Sequence, residues 1–153
     1  MTSQRNIPVS ISNMPSRLKG AYVLEFKIPK NSSLKIGRLG EIDFHTGYYY
    51  YIGSALNGLK SRMTRHILGT GKSHWHIDYL TKNYPISRAW CVITNEKIES
   101  EIAHEAEKRL EIGIKRFGCS DSPKAVTHLF KSKKQFDFKR ILKRYGRVVM
   151  VMV

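Results

Sequence analysis

The sequence is poor in cysteine and in long apolar runs. Only two cysteines occur among 153 residues, Cys91 and Cys119, too few for the disulfide framework of a small secreted domain. The C-terminal run VVMVMV covers six residues, whereas a membrane-spanning helix needs about 20. The N-terminal segment lacks the apolar centre of a secretory signal. We therefore predict a protein of a reducing, cytoplasmic compartment without a membrane segment.

Acidic residues are also scarce. Twelve Asp and Glu stand against 27 Lys and Arg, which gives a formal net charge of +15 at pH 7. Each phosphate that a basic side chain neutralises releases a condensed counterion, so a chain this basic is typical of nucleic-acid-binding proteins. A highly charged protein without a polyanionic partner and a membrane-surface binder are the alternatives. The lack of a lipid anchor or basic leader helix favours nucleic acid, and association with the nucleoid if the protein is prokaryotic.

The length allows one domain with a sizeable core. Residues 1–19 show no sustained periodicity, and we predict a leader of uncertain order there, followed by a single domain over 20–153. The segments of this domain follow the order β-β-α-α-β-α and end with a further helix and strand. This order predicts an α/β fold with a small mixed central sheet flanked by helices.

The element boundaries come from periodicity and from glycine, proline and capping residues. Asn57 and Asp137 are predicted N-caps, and Gly69 and Gly71 are predicted to end the first helix. The predicted strands are GAYVLEFKI (20–28), YYYYIGS (48–54), ISRAWCVIT (86–94) and RVVMVMV (147–153). The predicted helices are GLKSRMTRHIL (58–68), HWHIDYLTKN (74–83), NEKIESEIAHEAEKRLEIG (95–113) and FKRILKRYG (138–146).

Four consecutive tyrosines, 48–51, precede Ile52 and Gly53. Because side chains alternate along a strand, Tyr49, Tyr51 and Gly53 share one face. Packing on a half-buried sheet accounts for the tyrosines, while the glycine marks a place where a backbone or a ligand comes close. Both interpretations of the run are open at this point.

Arg62 and His66 are four residues apart on a predicted helix and flank its buried stripe. A surface arginine and histidine, or two side chains of a site, fit this position equally well. Glu99 is the sharper candidate, because helical winding places it on the face of Ile102 and Ala106, with Glu101 outside that face. An inward carboxylate needs a partner or a metal, and a single one indicates a hard cation completed by water and phosphate. The alternative is a first-turn acid that bends out to water.

Two further clusters contain histidine. In HWHIDYL the helical pair His74 and Asp78 supplies only two ligands, too few for zinc, so a His–Asp pair or phosphate contacts are favoured. The stretch FGCSDSPKAVTHLF holds Cys119, Asp121 and His128 around a turn. A cysteine nucleophile with a histidine base is conceivable there, but no feature of the pattern orders these residues.

Taken together, these motifs resemble the GIY-YIG nuclease superfamily. GAY at 20–22 and YIG at 51–53 are similar to its paired signature, with Ala21 in place of the central isoleucine. An Arg-x-x-x-His pair after the second motif and a helix glutamate after the third strand also match. GYYYYIGSALNGLKSRMTRH, WHIDYL, ESEIA and FGCSD…THLF are similar to the DUF123 branch, small proteins or domains sometimes fused to endonuclease III. The resemblance covers residues 20 to about 130.

The resemblance implies a metal-dependent endonuclease that hydrolyses DNA in repair or processing, with a functional link to endonuclease III-type enzymes. It implies that Glu99 holds Mg²⁺ or Mn²⁺, that Tyr22 or Tyr51 acts as general base or positions the attacking water, and that Arg62 stabilises the developing charge with help from His66. The expected substrate contacts are Gly53, Ser54, Arg65, His76, Lys139, Arg140, Lys143 and Arg144, together with the basic run at 131–134.

The sequence departs from the family pattern in two places. Ser122 and Ala125 stand where the branch commonly has cysteines, and the later asparagine of the superfamily has no obvious match. Two other functions are therefore open: a DNA-binding module without catalysis, and a DNA glycosylase, which only the fusion to endonuclease III indicates. The sequence predicts no oligomeric state.

Overall fold

The protein is described by a computed structural model that covers residues 8–69, 72–73, 75–119 and 126–153. Over these residues the chain forms eight strands and four α-helices, and the predicted α/β class is confirmed. The strands are β1 (Gly20–Ile28), β2 (Ser32–Lys35), β3 (Glu41–Phe44), β4 (Gly47–Ala55), β5 (Ile86–Ile93), β6 (Glu111–Ile112), β7 (Leu129–Ser132) and β8 (Arg147–Val151). The helices are α1 (Leu59–Leu68), α2 (His76–Thr81), α3 (Glu99–Glu107) and α4 (Lys139–Leu142).

Six strands form one sheet in the order β6-β7-β4-β1-β5-β8, and each neighbouring pair is antiparallel. The predicted pairing of β1 with β4 is confirmed along the whole length of both strands and sets Tyr22 opposite Gly53. Strands β2 and β3 form a separate antiparallel hairpin. Within the described residues, the parallel contact is an isolated bridge between Val9 and Val151, so the predicted mixed character of the sheet rests on that bridge alone.

Both faces of the central strands are covered, as the nearly continuous burial of β1 requires. We call the face that carries Tyr22 and Tyr51 the site face; helices α1 and α2 pack on it. The face that carries Val23 and Tyr50 is the ion-pair face, against which α3 and α4 pack. The predicted alternation of the tyrosine run is therefore confirmed, because successive tyrosines of β4 enter different cores.

A buried ion pair joins β1 to β5 on the ion-pair face. Glu25 is fully buried, and its two carboxylate oxygens accept hydrogen bonds from Arg88 at 3.0 and 2.6 Å. The hydroxyls of Tyr50 and Ser87 each donate to the same carboxylate at 2.8 Å. Burial alone would raise the pKa of Glu25, but the bonds from Arg88, Tyr50 and Ser87 outweigh burial and lower it. Glu25 is therefore a charged group held inside the core.

The described part of the N-terminal segment packs on the domain. The backbone N–H of Val9 donates to the carbonyl of Met150, and that of Met152 donates to the carbonyl of Val9, both at 2.8 Å. Met14 is buried in the core of the site face. The carbonyl of Leu18 accepts a hydrogen bond from the first residue of α1 at 2.9 Å. Residues 8–19 thus run from the edge of β8 to the start of α1.

Several predicted boundaries change. Helix α3 ends at Glu107, not at residue 113, because 111–112 pair with β7 as a short strand. The predicted Asn57 cap is wrong, since α1 begins after Gly58, whose φ of 133° and missing side chain leave no side-chain cap. Asp137 does accept a hydrogen bond from the backbone of Lys139 at 3.0 Å, and Gly69 ends α1 in the left-handed conformation. None of the helices in the described ranges combines the length and apolar character needed to cross a bilayer.

Candidate active site

A cavity of about 450 Å³, here the site cavity, opens on the site face. Its wall combines residues from β1, β4, α1 and the first turn of α3. The cavity brings together four of the five side chains expected to be catalytic, namely Tyr22, Tyr51, Arg62 and Glu99. The expected substrate contacts Gly53 and Ser54 line it too. Tyr22 and Glu99, which lie 77 positions apart in the sequence, therefore face one space.

The two signature tyrosines lie next to each other. Their ring centroids are 6.3 Å apart, and both side chains belong to the core of the site face. Gly53 sits directly beneath the ring of Tyr22: a Cβ atom at this position would lie 2.3 Å from Tyr22 Cζ. The close approach that a glycine in a strand indicates is thus made by the tyrosine of the neighbouring strand.

His66 lies behind Tyr22 and is buried. Its Nε2 atom is 2.8 Å from the hydroxyl oxygen of Tyr22, and its Nδ1 atom has no hydrogen-bond partner among the described residues. Burial, and then the positive charge of Arg62, lower the pKa of His66 to about 4. At neutral pH the imidazole is therefore uncharged and bonded to the tyrosine.

The lowered pKa of His66 predicts acid sensitivity. An unfolded histidine titrates near 6.5, so between pH 6.5 and 4 the unfolded chain binds more protons at this position than the folded chain does. The stability from the neutral imidazole is complete above that window and decreases as the pH falls through it, by on the order of 3 kcal/mol in total. We expect His66→Gln to reduce the difference between the free energies of unfolding measured in urea at pH 7 and pH 4.5.

The exposed His104 on α3 supplies the control. His104→Gln should keep the pH dependence of the parent protein. Equal pH dependence in the parent and in both variants would show that His66 does not couple folding to protonation.

Both cavity tyrosines are protonated at neutral pH. Burial raises the pKa of Tyr22 and of Tyr51 well above the usual range, and Arg62 opposes the shift without cancelling it. Neither tyrosine is therefore present as a phenolate at neutral pH. Tyr22 has a hydrogen-bonded imidazole beside it, whereas Tyr51 is contacted by Tyr22 and by the edge of Phe117.

Trp75 holds the guanidinium of Arg62 in place. The guanidinium carbon lies 4.3 Å from the centre of the indole ring, and Arg62 also donates to the carbonyl of Ser54 at 3.4 Å. Arg65 lies at the same distance from this ring and forms an ion pair with Asp78 at 2.9 Å. Arg65, an expected substrate contact, is thus occupied by a carboxylate. Trp75 was not predicted as a site residue; its only signal is an aromatic ring between two histidines.

Glu99 is the first residue of α3, and its side chain faces the site cavity with 15% exposed. Glu101 points outward, as helical winding predicts. The prediction that Glu99 lies mid-way along the apolar face is wrong, because Ile102 and Ala106 pack on the ion-pair face while Glu99 lies beside the cavity. Among the described residues, its ion-pair partner is the ammonium of Lys97, 3.8 Å away.

The donor set fits a hard dication better than a transition metal. Across the described residues, no three His, Cys, Asp or Glu side chains gather into a group that could hold a metal. A cation here would have Glu99 as its protein ligand and would complete its shell with water and phosphate oxygens, as Mg²⁺ commonly does.

His128 is a cavity residue that the sequence did not single out for this site. Its ring lines the site cavity, its Nδ1 atom is 3.2 Å from the carbonyl oxygen of Ile52, and its Nε2 atom is buried without a partner in the described part of the chain. The hypothesis of a nucleophilic Cys119 is not supported by its environment, since burial raises the pKa of this thiol. Asp121, His74, Ser122, Ala125 and Gly71 lie outside the described residues.

Other expected substrate contacts lie elsewhere. The Nδ1 atom of His76 accepts a hydrogen bond from the backbone of Gly118 at 2.8 Å, in a second cavity next to the first. Helix α4 packs on the ion-pair face. The basic residues in this helix and directly after it therefore contribute nothing to the wall of the site cavity, and Arg144 lies 3.3 Å from Glu105. These basic residues are Lys139, Arg140, Lys143 and Arg144.

Comparison with known protein families shows to which family the chain belongs. The model described as Domain of unknown function DUF123 matches residues 21–150. The chain belongs to the DUF123 family. No curated protein and no solved structure matches it. The DUF123 match runs from β1 into β8, so every residue that lines the site cavity falls inside it. The predicted membership of the DUF123 branch is confirmed.

Proposed function

We propose that this DUF123 protein is a metal-dependent DNA endonuclease of the GIY-YIG type. The observation that carries the proposal is the site cavity, in which two tyrosine hydroxyls, one guanidinium and one carboxylate converge from four elements of the fold. Hydrolysis of a phosphodiester needs an oriented water, a Lewis acid and fixed positive charge near the non-bridging oxygens. The cavity offers a side chain for each of these tasks.

The charged groups have separate roles. Glu99 is the ligand for Mg²⁺ or Mn²⁺, which when bound would polarise the phosphate as a Lewis acid. Arg62 carries a planar guanidinium group that suits the oxygens of a phosphate. The carbonyl of Ser54 and the ring of Trp75 restrict its position. This fixed charge would stabilise the negative charge that develops as water attacks phosphorus.

The hydrogen bond between Tyr22 and His66 assigns different roles to the two tyrosines. Tyr22 can take a proton from the attacking water while its own hydroxyl proton passes to Nε2 of the neutral His66. Tyr51 is also protonated, and within the described ranges its ring contacts are with Tyr22 and Phe117, so we assign it to positioning the water or the phosphate. The pair of Tyr22 and His66 is thus the proposed general base.

A nuclease assay tests the proposal. Purified protein is incubated with single-stranded, duplex, flapped and uracil-containing DNA, with Mg²⁺, with Mn²⁺ and with EDTA. We expect strand cleavage that requires the metal. Binding without cleavage under every condition would instead identify a DNA-binding module. Alkali-labile sites in an uncut backbone would identify a glycosylase.

The positive charge predicts salt-dependent DNA binding. Log affinity should fall linearly with log salt concentration, with a slope of about −0.9 for each phosphate contacted on duplex DNA. Lys143, exposed directly after α4, belongs to the proposed contact face with Arg140 and the lysines at 131–134. Lys143→Gln should make the slope shallower by about 0.9 in fluorescence anisotropy titrations.

Lys30 provides the control, because it is exposed in the turn between β1 and β2 and lies outside the proposed contact face. Lys30→Gln should leave the slope of the parent protein unchanged. An affinity that stays constant from low to high salt would overturn the electrostatic mode of binding.

A further inference from the structure

A second cavity of about 580 Å³ adjoins the site cavity. The two share Tyr51, Trp75 and Gly118 as lining residues, so they are contiguous. The second cavity has a volume typical of sites for small organic ligands. A ligand in the second cavity would be separated from the proposed cleavage site by no more than one side chain.

The lining combines two aromatic rings with two guanidinium groups. Trp75 and Tyr79 supply flat, half-buried rings, and Arg38 and Arg116 supply exposed positive charge. The ring of Trp75 already holds the guanidinium groups of Arg62 and Arg65, so Tyr79 is the ring of this lining that is suited to stacking. Aromatic rings stack on nucleobases irrespective of their sequence, while guanidinium groups bind phosphate oxygens through paired hydrogen bonds. A base and its phosphate are the ligand for which both kinds of side chain are suited.

The imidazole of His76 adds a directed donor. Since its Nδ1 atom accepts the hydrogen bond from Gly118, the remaining proton of the neutral ring is on Nε2. Burial lowers the pKa of His76, in agreement with a neutral ring. The ring packs against Phe117, with the two centroids 5.5 Å apart, so its orientation is restricted.

The backbone at Arg116 is strained. Its φ of 66° makes it the one non-glycine residue with positive φ in the described part of the chain. Its N–H donates to the carbonyl of Val126 at 2.9 Å, and its carbonyl accepts from Cys119 at 3.3 Å. A strained conformation of this kind persists where its surroundings hold it, and such residues concentrate at ligand sites. Here the strained residue is one of the two arginines of the cavity.

We propose that the second cavity binds one unpaired nucleotide of the DNA strand, with the base against Tyr79 and its phosphate at Arg38 and Arg116. The inference rests on the proposed nuclease function, because that function places DNA in the neighbouring site cavity. A base stacked within a continuous duplex cannot enter a cavity without leaving the stack. The preferred substrate is therefore DNA with an unpaired base, such as a single strand, a flap or a bulge.

The test measures binding in EDTA, so it does not depend on cleavage. The probes are three oligonucleotides that carry 2-aminopurine: a single strand, a continuous duplex and a duplex with the 2-aminopurine unpaired. Stacking on an aromatic ring should quench the fluorescence of the single strand and of the unpaired base. The continuous duplex should show no quenching and should bind about tenfold more weakly than the unpaired probes.

Variants identify the cavity. Tyr79→Leu removes a stacking ring and should weaken the unpaired probes by about tenfold, within the range for loss of one base stack, without changing duplex affinity. Tyr79→Phe keeps the ring and should behave as the parent protein. Lys115→Gln removes an exposed charge next to Arg116 and should change the affinity for all three probes by the same factor.

Two results overturn the inference: equal quenching of paired and unpaired probes, or Tyr79→Leu and Tyr79→Phe variants that bind alike. A protein that selects unpaired bases but never cleaves would refute only the nuclease proposal. A protein that cleaves continuous duplex as fast as flapped DNA would refute only the base site.

Discussion

Glu99→Gln should abolish metal-dependent cleavage while it preserves the fold and the affinity for DNA. An amide oxygen remains a ligand, but it lacks the charge that attracts a hard dication. Loss of several kcal/mol of transition-state stabilisation corresponds to a rate decrease of about 1000-fold. The fold should be retained, because the carboxylate is partly open to solvent and its ion-pair partner Lys97 is 67% exposed. Single-turnover cleavage, circular dichroism and anisotropy in EDTA measure the three properties.

Glu101 is the matched control, two residues along the same helix and exposed. Glu101→Gln should cleave at the rate of the parent protein. If the Glu99 variant retained full activity while the Glu101 variant lost it, the cation would belong to the other carboxylate, and the assignment of the site cavity would be wrong.

Arg88→Met should destabilise the protein by about 3–5 kcal/mol, because it leaves the buried carboxylate of Glu25 without its cation. Tyr50 and Ser87 still donate to that carboxylate, but neither neutralises it. The loss should shrink as the pH falls, since the isolated carboxyl then takes up a proton in the folded state. Urea unfolding at pH 7 and pH 5 measures both effects.

Two further variants show whether the lost stability comes from the unpaired charge. Glu25→Gln combined with Arg88→Met should recover much of the loss, because no buried charge remains. Arg144→Met breaks the more exposed pair with Glu105 and should change the free energy of unfolding far less than Arg88→Met does. A double variant as unstable as Arg88→Met alone would show that packing of the arginine side chain, not its charge, accounts for the loss.

Local periodicity was enough to predict the parts of the site that depend on one element. The alternation along β4 puts Tyr51 and Gly53 on one face, and helical winding turns Glu101 outward. The same winding puts Glu99 on the face of Ile102 and Ala106, which is wrong, because Glu99 lies beside the site cavity instead. These inferences need only a repeat of two or of 3.6 residues. The adjacency of β1 and β4 is instead what the family resemblance implies, because its two signature tyrosines must reach one cavity.

The other features of the fold and of the site depend on pairings between distant segments, which a local repeat cannot predict. Glu111 and Ile112 continue a helical pattern in the sequence, yet they pair with β7 because that strand offers an open edge. Trp75 becomes a site residue only when α2 packs beside α1 and brings its ring to Arg62. His128 likewise reaches the cavity through backbone pairing. Its N–H donates to the carbonyl of Phe117, and its carbonyl accepts from the N–H of Ile52.

Gly53 also settles how β1 and β4 align. A shift of the tyrosine strand by one residue would exchange its two faces and is excluded by burial alone. A shift by two residues is not excluded by burial, because one tyrosine would replace another on the same face. In that misaligned pairing, a residue with a Cβ atom would take the place of Gly53 beneath Tyr22. A Cβ atom at the position of Gly53 would lie only 2.3 Å from Tyr22 Cζ. The glycine therefore discriminates against the slipped sheet that four identical neighbours would otherwise permit.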